Sequence, residues 1–245
     1  MSSVTVKERE TLRTLANEYM EYATAPVMAE KKRLWKTLNR GKMERPMITI
    51  DQLPWNELGA DPFLRCEVSE PYWRNVELTL RRQIYQYRHF PVDMVLDPAI
   101  RIPKSIANSG YGLVPVVERL GQEGTTAYSQ HFKNVLEDMS DVEKITPMTL
   151  THDEAETARR TAQGEEIFAG VAPVSAYGIG FHLGVWDYIT SLMSVEDAYY
   201  AFVDEPELLH AAMERLTAAT IHGIEDANRL GVHDDEANLC HCSHI

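Results

Sequence analysis

Thiol and imidazole side chains are concentrated near residue 240, where Cys240, His241 and Cys242 follow one another. Thiolate sulfur and imidazole nitrogen are the ligand types that zinc prefers in proteins. On a strand, side chains two positions apart point to the same face, so Cys240 and Cys242 could bind one ion together. The sequence therefore predicts a metal site at these three residues. Zinc sites usually have three or four ligands, and no upstream cluster plainly supplies the others.

Carboxylates follow two short apolar runs. Asp51 comes after the run at 47–50, and Asp97 comes after the run at 92–96. In α/β folds, ligands bind at the carboxyl ends of the strands, so both residues are candidate site residues. Aspartate also caps turns through its side chain, and this alternative stays open for both.

Further candidate substrate-binding residues lie in the segments after the predicted strands. His182 can act as an acid or base near neutral pH, and a loop histidine without a function is at least as good an interpretation. The tryptophans either line a ligand pocket or pack at the top of the fold. These candidates are Gln52, Trp55, Tyr177, His182 and Trp186.

The elements that must position these residues alternate between helices and short strands. The crossovers are long enough for parallel strand pairing, which predicts an α/β fold, either a parallel barrel or an open sheet. We expect helices at 6–37, 72–88, 153–168, 185–193, 195–203 and 205–230, strands at 47–50, 92–96, 171–176 and 237–242, and a hairpin excursion between 99 and 132.

Composition narrows the class of protein. The 245 residues are 44% hydrophobic, which is enough for a substantial core. A net charge of -13 disfavours nucleic acid as a partner, because phosphate binding needs clustered Lys and Arg. No apolar run approaches the length of a membrane span, and residues 1–15 lack the apolar core of a signal peptide. Three cysteines do not make a disulfide framework, so we expect a cytoplasmic protein.

Nearly the whole chain from about Lys32 resembles the uroporphyrinogen decarboxylase superfamily. The resemblance implies a TIM barrel. The superfamily includes haem-pathway decarboxylases, which need no cofactor, and methyltransferases that move a methyl group between a corrinoid and a thiol at a zinc site. The segments that carry the resemblance are "ERPMITIDQLPW", "LRRQIYQYRHFPVDMVLDPAIRIPKSIANSGYGLVP", "MSDVEKITP", "APVSAYGIGFHLGVWDYITSLM" and "AYYAFVDEPELLHAAMERLTAATIHGIEDANRLGV".

Differences from the decarboxylase motifs favour methyl transfer over decarboxylation. The decarboxylases carry an Arg-Gln-Ala-Gly-Arg motif after the first strand, whereas residues 51–55 here contain no arginine. They also carry a tyrosine where this chain has Ser191. Asp97 matches their aspartate that faces the pyrrole nitrogens. The methyltransferases carry a His-x-Cys pair at a strand end, which Cys240 and Cys242 resemble as a Cys-x-Cys version.

We therefore expect the N-terminal part of a TIM (β/α)8 barrel, with a helical extension at 1–45 and a partial barrel at 46–245 in a single domain. About four strands are predicted, against eight in such a barrel, so we expect a fragment.

The expected function is methyl transfer, with Asp97 catalytic and with zinc and a corrinoid as cofactors. The expected partner is a small-molecule substrate or a corrinoid protein. A decarboxylase of uroporphyrinogen or another organic acid, without a cofactor, is an alternative. An inactive half-barrel that pairs with another chain, including a homodimer, is a further one.

Overall fold

Helices dominate the backbone of the computed structural model, which describes residues 4–50, 53–120, 129–181 and 184–234. A 3₁₀ turn lies at Pro62–Leu64. The helices in these ranges are α1 (Val6–Ala23), α2 (Pro26–Asn39), α3 (Trp55–Leu58), α4 (Pro71–His89), α5 (Met139–Val142), α6 (Glu154–Phe168), α7 (Val185–Leu192), α8 (Val195–Asp204) and α9 (Pro206–Arg229).

Local sequence explains most of the helix ends. At the start of α4, the Glu70 side chain accepts a hydrogen bond from the backbone N–H of Trp73, and Pro71 occupies the first turn. After α9, Gly231 adopts a positive φ of 63°, a conformation that glycine tolerates at a helix end. The predicted helices that begin near residues 72, 153, 185, 195 and 205 are confirmed to within two residues at either end.

The single helix predicted over 6–37 is wrong, because the chain forms two helices there. Pro26 has no backbone N–H to donate and disfavours helical geometry at the residue before it. Ala25 is accordingly extended, with φ −61° and ψ 139°, and α2 begins at Pro26. The proline was visible in the sequence and was the available signal for this break.

The strands are short and pair two at a time. Strand β1 pairs in parallel with β6, β2 pairs antiparallel with β5, and β3 pairs antiparallel with β4. The excursion predicted over 99–132 is confirmed in part, because among the described residues only β3 and β4 form a hairpin there. Their bounds are β1 (Ile100–Pro103), β2 (Ile106–Asn108), β3 (Val116–Leu120), β4 (Ser129–Lys133), β5 (Leu150–His152) and β6 (Val174–Tyr177).

Two predicted strands are wrong. Residues 47–50 form no ladder, and Ile48 and Ile50 are 55% and 36% exposed. Instead, the Ile48 N–H donates to the Asp93 carboxylate at 2.9 Å, and the Asp93 N–H donates to the Ile48 carbonyl at 3.0 Å. The chain turns at Val92, where φ is 20°, and residues 92–96 form no ladder. The strand in this region is β1, which begins four residues later. The strand predicted at 171–176 is confirmed in part, as β6, and the one at 237–242 lies outside the described residues.

The chain divides into two compact units. The first comprises Met1–Pro103 with Ala155–Tyr177, and the second comprises Lys104–Glu154 with Gly178–Ile245. Each unit has its own apolar clusters. The helical extension at 1–45 and the partial barrel at 46–245 stay predictions.

The core of the first unit lies between α1, α4 and α6. Leu12, Leu15, Ala16 and Tyr19 recur at helical spacing and are all buried. They belong to one cluster with Trp73 and Ile84 of α4, Phe168 of α6, and Ile100 and Ile102 of β1. Alternation along β1 turns Ile100 and Ile102 inward, so Arg101 lies on the opposite face. This alternation positions the principal candidate site.

The core of the second unit packs α7, α8 and α9 together. Ile189 and Leu192 of α7 meet Ala212 and Leu216 of α9, and Leu136 completes the centre of this cluster. Each of these side chains is fully buried, and burial of a Leu or Ile side chain contributes about 1.5–3 kcal/mol.

The described residues confirm the predicted α/β class, with more helix than strand and a parallel pair in the first unit. Their strands form two-stranded sheets only. Across the described ranges, no helix combines the length and the apolar character needed to cross a membrane.

Candidate functional site

Asp97 lies between two cations. Its Oδ1 is 3.3 Å from Lys32 Nζ of α2, and its Oδ2 is 3.9 Å from Arg101 Nη1 of β1. The Asp97 side chain is 44% exposed, whereas that of Arg101 is 18% exposed. Ion pairs at this exposure contribute about 0–1 kcal/mol, so they orient the carboxylate more than they stabilise the fold. Breaking these ion pairs so that Lys32, Asp97 or Arg101 can bind a charged ligand therefore costs little free energy.

Arg101 connects Asp97 to Tyr177, another predicted site residue. In the parallel register, Arg101 pairs with Ser175 and Pro103 pairs with Tyr177. The Arg101 guanidinium carbon lies 5.2 Å from the centroid of the Tyr177 ring, within the range of a cation–π contact. Arg101 thus brings together two residues that lie 80 positions apart in the sequence. We call Lys32, Asp97, Arg101 and Tyr177 the Asp97 cluster.

A buried tyrosine closes one side of the Asp97 cluster. Tyr19 of α1 is almost fully buried, and burial raises the pKa of its phenol, with a further increase from the Asp97 carboxylate. A phenol in this setting stays protonated at neutral pH. It therefore adds no negative charge next to Asp97.

The polar surface continues from Tyr177 to Tyr72 at the start of α4. The Tyr72 hydroxyl donates to the Pro103 carbonyl at 3.3 Å, and the Arg160 guanidinium carbon lies 4.4 Å from the Tyr72 ring centroid. Burial raises the pKa of Tyr72 to about 12. The end of the β1–β6 pair is therefore lined by two tyrosine rings, those of Tyr72 and Tyr177, and by two guanidinium groups, those of Arg101 and Arg160.

Asp97 does not occupy the place that the sequence predicts for it. It precedes β1 instead of following a strand, because the Val92 turn and Pro98 prevent a ladder over 92–98. Lys32 and Arg101 were missed by the sequence reasoning. The alternation Ile100-Arg101-Ile102 was an available signal for Arg101, whereas Lys32 is 65 residues from Asp97 and only the folded chain reveals it.

The two predicted tryptophans make packing contacts. The Trp55 ring meets Tyr85 of α4 edge-on at 6.2 Å and lies 5.0 Å from the Arg82 guanidinium. Trp186 belongs to the second unit, where its ring centroid is 5.0 Å from that of Phe202. These contacts are those expected of the packing alternative.

The remaining predicted site residues lie outside the described residues: Asp51, Gln52, His182, Cys240, His241 and Cys242. Within the described ranges, no group of three or more His, Cys, Asp or Glu side chains is placed to hold a metal ion. Cys66 is the cysteine in those ranges, and burial raises the pKa of its thiol, which makes it a poor nucleophile.

A cleft of about 320 Å³ lies beside α7 in the second unit. The rings of Tyr111 and Tyr188 line it with centroids 4.7 Å apart, and Ser191 is also in its wall. The hydroxyl groups are already bonded, Tyr188 to the Leu113 carbonyl at 2.7 Å and Tyr111 to Thr220 at 2.9 Å. The Asp97 cluster, with its exchangeable charged groups, is the stronger candidate site.

Comparisons with known proteins identify no relative, since no family model, curated protein or solved structure matches the chain. The assignment of function therefore depends on the residues and their geometry.

Proposed function

We propose that this protein is a uroporphyrinogen-decarboxylase-like enzyme whose reaction takes place at the Asp97 cluster. The observation that supports the proposal most strongly is the position of Asp97 between Lys32 and Arg101, next to Tyr177. Its carboxylate can exchange a proton with a bound molecule, while the two cations can hold an anionic group of that molecule.

The roles of the individual side chains follow from their chemistry. Arg101 is the rigid anion-binding group, because its side chain is only 18% exposed, its guanidinium lies against the Tyr177 ring, and a guanidinium has donors in a fixed planar geometry. Lys32 is a more mobile point charge. Binding of an anionic substrate group by these cations would place that group next to the Asp97 carboxylate.

We also propose that the fold is the N-terminal part of a TIM barrel. The parallel β1–β6 pair supports this, because parallel neighbours joined through a helical crossover are the repeating unit of such barrels. The remaining strands needed for closure are not formed by the described residues.

Methyl transfer to a thiol is the reaction that the sequence favours. The thiol-rich stretch at Cys240, His241 and Cys242 supports it, as does the absence of arginines at residues 51–55. In this reaction the methyl group leaves its donor, a new S–CH3 bond forms, and the thiol proton passes to a base. Asp97 is the proposed base. A bound zinc ion would acidify the thiol and a corrinoid would supply the methyl group. The described residues contain no group of three or more His, Cys, Asp or Glu that could hold the zinc ion, so no step is assigned to it.

Decarboxylation of a small organic acid is the second candidate, and one observation favours it. Lys32 and Arg101 supply cations beside Asp97 although the arginine motif of the decarboxylases is absent. In this reaction the C–C bond to the carboxylate breaks, CO2 leaves, and the carbanion takes up a proton from water, which Asp97 is proposed to relay as a proton shuttle. A tetrapyrrole with many carboxylates would need more cations than this cluster holds.

Parallel assays of the purified chain separate the two reactions. The protein is incubated with methylcobalamin, zinc and a small thiol, and methyl loss is followed by absorbance. The same protein is incubated with small organic acids labelled at the carboxyl carbon, and released CO2 is counted. Methyl transfer without CO2 release supports the first candidate, and CO2 release alone supports the second. A chain that does neither contradicts the enzymatic proposal.

A further inference from the structure

Helix α8 carries apolar side chains on its solvent side. Its buried positions, Ala198 and Ala201, pack into the core of the second unit. Large apolar side chains nevertheless remain exposed at i, i+4, i+7 and i+8, with a further aromatic residue between them. We call these residues the α8 surface: Val195 (58% exposed), Tyr199 (69%), Tyr200 (62%), Phe202 (52%) and Val203 (81%).

These residues form one patch. The ring centroids of Tyr199 and Phe202 are 6.4 Å apart, and Phe202 is 5.0 Å from Trp186. Because aromatic side chains bury about 150–250 Å² each, the patch can bury on the order of 600 Å². Single exposed apolar residues are ordinary, but a contiguous patch of this size marks an interaction site. A stable interface buries about 800 Å² on each partner, so the patch supplies most of one side.

An acidic cleft borders the patch. Its volume is about 320 Å³, and Tyr200 belongs both to its wall and to the α8 surface. Among the described residues, its lining has an apolar part, which includes Met193 and Leu208, and no Lys or Arg. Four carboxylates surround that apolar part: Glu137, Asp197, Asp204 and Glu205.

We infer that the α8 surface and its acidic cleft bind an amphipathic segment of another protein that carries Lys or Arg beside an apolar stripe. The apolar stripe of the partner would cover Tyr199, Phe202 and Val203. Its cations would reach the carboxylates of the cleft, where exclusion of water strengthens each ion pair. A second copy of this chain is a poor occupant, because two acidic clefts would meet in chains that each carry a net charge of -13.

The probe that tests this inference is a fluorescent synthetic helix of about 16 residues with leucines on one face and lysines beside them. A second peptide with every lysine replaced by glutamate is the control. We expect saturable binding of the lysine peptide in an anisotropy titration, weakening with added salt, and no binding of the glutamate peptide. Equal binding of both peptides, or binding of neither, overturns the inference.

Matched variants locate the contact. Val203→Lys on the α8 surface should weaken binding at least about tenfold, whereas Val114→Lys, at a position 69% exposed in the same unit, should not. Asp204→Asn with Glu205→Gln should also weaken binding and reduce its salt dependence, whereas Glu10→Gln with Glu165→Gln should change neither. Circular dichroism checks that each variant is folded. Unchanged binding in both α8 variants contradicts the inference. So does a dimer, measured by sedimentation, that Val203→Lys dissociates, because the occupant would then be a second copy.

Discussion

Single side chains in this protein contact residues that are far apart in the sequence. Arg101 meets Asp97 and Tyr177, and Asp93 meets Arg45 and Ile48. Asp97 and Tyr177 were candidates from the sequence because polar and aromatic residues after strands commonly bind ligands; Tyr177 ends β6, whereas Asp97 precedes β1. Lys32 was not predictable, since a surface lysine on an amphipathic helix has no local signal for its partner. Residue types indicate the candidate chemistry, and the fold decides which candidates meet.

Asp93→Asn tests the ion pair that holds residues 45–48. Asp93 is buried, and its carboxylate accepts two hydrogen bonds from Arg45, at 2.5 and 2.9 Å, and one from the Ile48 N–H. Asparagine cannot pair with the Arg45 charge. At pH 7 we expect the free energy of unfolding to fall by about 1–3 kcal/mol, measured by urea denaturation.

This effect should depend on pH in a defined direction. The Arg45 guanidinium lowers the pKa of Asp93 from 3.8 to about 2. A lowered pKa in the folded state means that the stabilisation is complete above pH 4 and is lost as the pH falls towards 2. The difference between wild type and Asp93→Asn should therefore shrink below pH 4. The control is Asp61→Asn, which keeps its cap on Phe63 because asparagine also accepts that hydrogen bond. A difference that is undiminished at pH 3 would contradict the assignment.

Among the elements, the long helices after residue 70 were predictable, whereas the break at Pro26, the short helices α3 and α5 and the fate of two apolar runs were not. Repeats at helical spacing over 10–24 residues are strong signals, as in α4 and α9. Runs of four or five apolar residues are ambiguous, and the runs at 47–50 and 92–96 became extended and turn segments held by Asp93. Pro26 and Pro98 indicate boundaries of helices and strands that the pattern of apolar residues does not show. Strands β1 and β6 are each other's partner, and the paired residues lie 74 positions apart in the sequence.

Gly178→Ala tests the close approach of Gly178 to the Val232 backbone, which accompanies the β-bridge between Ile179 and His233. The Ile179 N–H donates to the Val232 carbonyl at 2.8 Å, and the Asp234 N–H donates to the Ile179 carbonyl at 3.0 Å. A Cβ at residue 178 would lie 1.8 Å from the Val232 carbonyl oxygen, so the backbone would have to move. We expect a loss of about 1–3 kcal/mol in the free energy of unfolding, measured by urea denaturation.

Gly180→Ala is the matched control for Gly178→Ala, because a Cβ at residue 180 would meet nothing within 4 Å. Its stability should change by less than about 0.5 kcal/mol. Equal stability of the two alanine variants would show that residues 178 and 232 do not approach each other closely.

At the scale of the whole molecule, each unit has a separate apolar centre. Leu12 lies in the cluster of the first unit, and Leu216 lies in the main cluster of the second, and both are fully buried. The sequence indicated a single domain from its lack of an obvious linker. The division into units could not be predicted, because each unit contains two separate stretches of chain.

Leu12→Ala and Leu216→Ala form a matched pair at this scale. Each removes a fully buried leucine, so each should reduce the free energy of unfolding by about 2–5 kcal/mol. Hydrogen exchange followed by mass spectrometry should show the largest loss of amide protection in α1 and α4 for Leu12→Ala, and in α7 and α9 for Leu216→Ala. If both variants lose amide protection in the same helices, the two units do not have separate apolar clusters.

The activity of Asp97→Asn tests whether the proposed reaction takes place at the Asp97 cluster. The methyl-transfer rate of the variant is compared with that of wild type and of Asp61→Asn under identical conditions. Loss of a general acid or base typically costs at least about 100-fold, so the account predicts a fall of that size for Asp97→Asn. Asp61→Asn should keep the wild-type rate, and all three proteins should have similar thermal midpoints, because the Asp97 side chain is 44% exposed. A wild-type methyl-transfer rate in Asp97→Asn would contradict the account.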